Sequence, residues 1–139
     1  MVLGELNFVA VIAAAAVSFI FGGIWYSALS KHWMDAAGTP PGSFKDSVGL
    51  YFVTFAAQLI MATMLAGVLL HVERGGVPHS LRTGLVTAAC LWFGFVVTTM
   101  TVNYAFHGAR TKLTLIDGVH WLGVLLIQGA VLSLWGGRA

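Results

Sequence analysis

The chain has 139 residues, of which 58% are hydrophobic and 9% charged, with a formal net charge of +2. A soluble domain carries about 25% charged residues, so this composition excludes an ordinary soluble globule: a fold of this length has too little interior to hide so much apolar surface. The seven basic residues stand singly or in pairs, which leaves no patch for nucleic acid, and the lone Cys90 excludes an intrachain disulfide and reads as a small packing residue.

Four runs reach the roughly 20 residues needed to cross hydrocarbon. They are Leu6–Leu29, Ser47–Leu70, Thr83–Phe106 and Leu113–Gly137. Backbone groups in lipid must be satisfied within the segment or by a closed barrel, so these runs are expected to be helices. The expected fold is an all-α, membrane-embedded four-helix bundle, a single domain with up-down topology. Both termini then lie on one side, side A, and the opposite side is side B. The N-terminal run has Glu5 and no Lys or Arg before it, and it is long for a signal sequence, so it reads as a retained helix.

Span 1 carries Ala10, Ala14, Ser18 and Gly22 at intervals of four, a ridge of small residues that lets another helix approach closely. It ends in Trp25-Tyr26-Ser27, aromatics suited to an interfacial belt. The loop from Ser30 to Asp46 holds the helix-breaking Pro40-Pro41 pair. The part before it, Ala28 to Ala37, is expected as a short surface helix with Trp33 and Met34 dipping inward.

Span 2 has one strongly polar residue, Gln58. A turn with Gly75-Gly76 and Pro78 follows, and Ser80 is the expected cap of span 3. Span 3 places Trp92, Thr99 and Asn103 on one face and ends at Tyr104, Phe106 and His107. The short basic loop to Lys112 makes spans 3 and 4 a tight hairpin. Basic residues divide almost evenly, with Arg74, Arg82 and Arg138 on side A and Lys31, Lys45, Arg110 and Lys112 on side B. The positive-inside rule therefore leaves the orientation undecided. A faint echo, Asp46 before Gln58 and Asp117 before Gln128, suggests two hairpin repeats.

Span 4 is the anomaly. It carries Asp117 and His120, and at 100° per residue these share one face with Trp121, Val124, Gln128 and Trp135. A charged group in hydrocarbon costs at least ~2.5 kcal/mol, so such residues face protein or water. Measured from Lys112, Asp117 lies about 7–8 Å and His120 about 12 Å into the span. The chain direction brings Tyr26, Asn103, Tyr104, Asp117 and His120 to side B, with Gln58 as a further polar group on span 2. Two readings of this cluster stand open. In one, Asp117 and His120 share a proton or hold a cation in a small pocket. In the other, Asp117 bonds Asn103 or Tyr104, or pairs with Arg110 or Lys112, as interhelical glue.

No nucleophile motif, phosphate loop or metal-ligand spacing occurs, so no catalytic residue, cofactor or metal is expected. The run Phe21-Gly22-Gly23-Ile24-Trp25-Tyr26-Ser27, then Lys31-His32-Trp33-Met34, resembles the opening of the domain of unknown function 1761 family. Trp92-Phe93-Gly94-Phe95, Asn103-Tyr104 and Leu115-Ile116-Asp117-Gly118 are similar to its later stretches. That resemblance implies a small integral membrane protein of four spans, with the bacterial inner membrane as its location, and supplies no function.

The leading functional expectation is a small binding or transport protein, with Asp117 and His120 at its centre and Asn103, Tyr104, Tyr26 and Gln58 in support. The alternative is an accessory subunit of a larger membrane complex, and a third is a membrane enzyme using Asp117 and His120 as an acid/base pair. The bilayer is the expected partner. So is a second copy of the chain, joined through the Ala10–Gly22 ridge.

Overall fold

The computed structural model describes residues 3–40 and 48–135. Pro41, Lys45, Asp46 and Arg138, which entered the reading of loops, repeat and charge, lie outside the described residues. Four helices are long and apolar enough to cross a membrane: α1 (Phe8–Ala37), α2 (Val48–Arg74), α3 (Leu81–Phe106) and α4 (Thr111–Trp135). No strand occurs among the described residues. The architecture is that of a multi-pass membrane protein.

Local chemistry sets the helix ends. Asn7 caps α1, its Oδ1 accepting from the Ala10 backbone N–H at 3.2 Å. Ser80 caps α3 in the same way, accepting from Thr83 N–H at 3.1 Å. The third helix is not uniform. Residues Leu81–Leu91 and Val97–Phe106 are α-helical, and between them Trp92–Val96 forms a π turn in which Val97 N–H reaches back to the Trp92 carbonyl. Such a bulge inserts one residue and re-aims the side chains around it.

The first helix also departs from expectation. No separate surface helix covers Ala28 to Ala37; α1 runs on unbroken for 30 residues to Ala37 and stops at Gly38, in the left-handed region at φ 66°. The physical reason is that no breaker stands between Gly23 and Gly38, so helix propagation has nothing to end it before that glycine.

Helices α1 and α4 form the central pair. The second helix packs chiefly on α1 and the third chiefly on α4, while α2 and α3 scarcely touch. The interior is built from small side chains, with Ala10, Ala14, Ala15, Ala62 and Ala88 all fully buried beside Val11, Leu65, Leu125 and Leu132. Lipid is as apolar as leucine, so close packing rather than water exclusion holds such helices together. The large residues face outward instead, among them Ile20, Ile24, Phe52, Phe93, Phe95 and Phe106.

The ridge of Ala10, Ala14, Ser18 and Gly22 is buried along its whole length. It is occupied within the chain, so the expected self-association through that ridge has no free surface to use. A second close approach joins α3 and α4. A Cβ on Gly84 would stand 2.5 Å from the Gly129 carbonyl oxygen, and one on Gly129 would stand 2.7 Å from the Gly84 carbonyl oxygen. Only glycine lets the two backbones meet there.

Candidate functional site

Asp117 sits in the second turn of α4 and is buried, with 5% of its surface exposed. Its carboxylate gathers three donors from two other helices. The Tyr26 hydroxyl donates to Oδ1 at 2.8 Å, and the Trp33 indole N–H donates to the same oxygen at 3.0 Å. The Tyr104 hydroxyl donates to Oδ2 at 2.8 Å. One acid thus ties α1, α3 and α4 together.

Helical periodicity explains how α1 supplies two of these donors. Tyr26 and Trp33 are seven residues apart, two turns of one face. The rings meet edge-on with centroids 6.2 Å apart. Trp33 can reach Asp117 only because α1 continues past Ser30. Trp33 is expected to dip inward from a separate surface helix, and the signal that places it on α1 instead is the absence of any helix breaker before Gly38.

The expected cationic partners of Asp117 go elsewhere. Lys112 pairs with Asp35 at 3.1 Å, and Arg110 donates to the Asp35 backbone carbonyl at 2.8 Å and lies 3.6 Å from its carboxylate. These exposed groups fasten the end of α1 to the start of α4. Asn103 does not join the cluster either. It is exposed on α3, and its backbone carbonyl faces the His107 ring at 2.7 Å.

One turn deeper, His120 is 3% exposed and packed among aromatic rings. Phe21 stacks on it at 5.9 Å with an interplanar angle of 4°, and the Tyr26 ring lies 4.7 Å away. The Trp121 ring meets its edge at 4.9 Å. Among the described residues, neither ring nitrogen of His120 has a hydrogen-bond partner, and the Trp25 indole N–H has none either. Gly22 makes room for the imidazole: a Cβ there would stand 2.9 Å from His120 Nε2 and 3.8 Å from the Gln58 side-chain nitrogen.

Gln58 belongs to a different group, further along the bundle. The Ser18 hydroxyl donates to Gln58 Oε1 at 2.7 Å. The Gln128 amide N–H₂ donates to Ser18 Oγ and to the Gln58 backbone carbonyl, both at 3.1 Å. All three side chains are buried. Eleven residues separate Asp117 from Gln128, so this amide knot lies about 16 Å from the carboxylate along α4.

The π turn of α3 also contacts this region, because the Trp92 indole N–H donates to the Gly118 carbonyl at 2.8 Å. The remaining cavities lie away from the carboxylate. One of about 30 Å³, lined by Glu5, Asn7, Glu73 and His79, sits at the opposite end, near the Arg74–Glu5 ion pair. An open apolar groove of about 230 Å³ runs between α2 and the π turn, past Met61, Met64 and Phe95. No group of three or more His, Cys, Asp or Glu that could hold a metal ion occurs among the described residues.

The geometry, then, is a buried acid held by neutral donors, beside an imidazole without partners among the described residues. No curated protein and no solved structure matches the chain. A family model described as "Protein of unknown function (DUF1761)" matches residues 9–133, nearly the whole length and all four helices. The chain belongs to the DUF1761 family, as the Trp25-Tyr26-Ser27 and Lys31-His32-Trp33-Met34 segments implied.

Proposed function

We propose that this chain is a small membrane-embedded binding or transport protein, with a proton-linked site formed by Asp117 and His120 near one membrane face. The observation that carries the reading is His120, buried and with both ring nitrogens unpartnered, one turn from a carboxylate that bonds only neutral donors. A buried polar group left without a partner costs about 1–3 kcal/mol. A buried imidazole without a protein partner can take one, which suits it to a second state in which it is satisfied. Tyr26 supplies the link, since its hydroxyl holds Asp117 while its ring lies against His120. When a ligand takes the carboxylate, the phenol transfers its hydrogen bond to the imidazole.

The test is proton movement in vesicles. Purified protein is reconstituted with a pH-sensitive dye inside. Alkali and alkaline-earth salts, alkylammonium salts and short-chain amphiphiles are added in turn across an imposed pH gradient. At least one class should dissipate the gradient with the wild type and fail to do so with Asp117→Asn. No class moving protons, or equal movement with the variant, would sink the proposal.

A second reading, an accessory or self-associating subunit, is favoured by one observation. Only 6% of the most apolar stretch of α3 is buried, against 33% in α1 and α2 and 44% in α4. A helix so little covered is suited to a neighbouring protein. Purification in mild detergent separates the cases: a stoichiometric partner of a different chain supports an accessory subunit, and the chain alone or as a homo-oligomer removes it.

A further inference from the structure

We infer that His79 and Glu73 form a proton site of their own at the end of the bundle opposite Asp117, and that a proton bound there latches the turn between α2 and α3 onto the end of α4.

The two sites sit at the two ends of one helix. His79 meets α4 at Ser133, sixteen residues beyond Asp117 and so about 24 Å further along the helix. Asp117 is buried, whereas the side chains of His79 and Glu73 are 32% and 31% exposed. Both also line the cavity of about 30 Å³ at this end, which has room for one water molecule. A proton can therefore reach the pair from solvent. The site stands whether or not Asp117 binds a ligand.

The geometry asks for that proton. His79 Nε2 stands 2.8 Å from the Ser133 backbone carbonyl oxygen. A carbonyl only accepts, so Nε2 carries a hydrogen, and in the neutral ring Nδ1 is then a bare acceptor. Nδ1 stands 3.7 Å from Glu73 Oε2, so a lone pair faces a carboxylate oxygen. A proton on Nδ1 converts that contact between two acceptors into an ion pair. The bond from Nε2 to Ser133 is left in place. The charge also falls where α4 favours it. Ser133 lies in the last turn of α4, whose carbonyls lack partners within the helix and form the negative end of its dipole.

Neighbouring charges leave the pair to itself. On α2, Arg74 is held by Glu5 from the turn before α1, and the His71 ring lies 2.8 Å from the Gly67 carbonyl. Glu5 lines the same cavity but is engaged with that arginine. The first turn of α3 brings Arg82, which is exposed. Among the described residues, α4 brings no titratable side chain to this end. Asn7 fastens the same helix end by donating to the Trp135 carbonyl, a bond that no change of pH alters. Without the proton, His79 gives the turn one neutral bond to α4. With it, α2, the turn and α4 are joined through one ring.

The experiment is a double-mutant cycle of His79→Gln and Glu73→Gln on the full chain, read by reversible unfolding in mixed micelles. It is run at about pH 5.5 and about pH 8, an interval over which histidine changes charge and glutamate stays ionised. His79→Gln keeps a side-chain N–H for the Ser133 carbonyl and takes no proton. The coupling between the two positions should reach about threefold to fivefold in the unfolding equilibrium at the lower pH, the upper range for a partly exposed pair, and vanish at the higher. Gly76 and Val77 in the turn donate to backbone carbonyls of α2 and report on the latch locally. Their amide exchange, corrected for the intrinsic rate, should slow on acidification in the wild type and in neither variant. Equal coupling at both pH values, or none at either, overturns the inference. So does a turn that keeps its pH response in Glu73→Gln, and that single variant decides the matter if His79→Gln does not fold.

Discussion

Two polar groups lie along the same face of α4 and do opposite things. Around Gln128, the amides and hydroxyl of Gln58, Ser18 and Gln128 bond one another without any charge, and Gln128 Oε1 has no partner among the described residues. Around Asp117, a carboxylate absorbs three donors while both ring nitrogens of the adjoining His120 have no partner among the described residues. The first arrangement joins α1, α2 and α4 and leaves one neutral acceptor over. The second holds α1, α3 and α4 together and keeps a whole imidazole unused next to a carboxylate. Interhelical hydrogen bonding accounts for most of the first, whereas the second retains a titratable ring that such bonding does not need.

The comparison breaks most directly if both groups are replaced by leucine. Interhelical hydrogen bonds in membrane proteins average ~0.6 kcal/mol each. Asp117→Leu removes three of them, about 2 kcal/mol, and Gln128→Leu removes two, about 1 kcal/mol. Reversible unfolding in mixed micelles measures both. Asp117→Leu should in addition abolish the ligand-driven proton movement in vesicles, and Gln128→Leu should leave it within twofold. Loss of proton movement in both variants would make the two clusters one functional unit and remove the distinction.

Gly22 lies between the two groups and sharpens the boundary. A methyl there meets His120 Nε2 at 2.9 Å, so the imidazole must shift, while the Gln58 nitrogen at 3.8 Å stays in ordinary contact. Gly22→Ala is expected to cost about 1 kcal/mol from overpacking. Its larger effect falls on the pH dependence of proton movement in vesicles, through displacement of His120. A pH profile identical to wild type would show that His120 takes no part.

Much of this could be read from residue order. The four spans and the meeting of Tyr26, Tyr104, Asp117 and His120 at one end follow from the apolar runs, their alternating direction and a 3.6-residue repeat. Trp33 reaches Asp117 because α1 runs unbroken to Gly38, whose left-handed conformation ends it ahead of the proline at 40. Gln58 is held by Ser18 rather than by the Asp117 cluster. A hydroxyl within a ridge of small residues is the clue to such a hydrogen bond. The π turn at Trp92–Val96 follows from tertiary packing around Trp92 and Gly118 and carries no local signature. Gly84 with Ala88, and Gly129 with Ser133, repeat small residues at intervals of four, a pattern legible in advance as the α3–α4 crossing.

The smallest effect expected is at the rim. Lys112 and Asp35 form an ion pair whose side chains are 47% and 64% exposed, and Arg110 provides Asp35 with a second partner. Exposed pairs contribute about 0–1 kcal/mol, and salt screens them. Lys112→Ala should therefore lower stability only slightly at low salt, with the difference vanishing in 1 M sodium chloride. If the pair only tethers α1 to α4, proton movement in vesicles should also stay within twofold. A larger, salt-sensitive change in proton movement would mean that Lys112 shapes the field at Asp117. In that event the carboxylate would no longer be the isolated charge on which a proton-linked site depends.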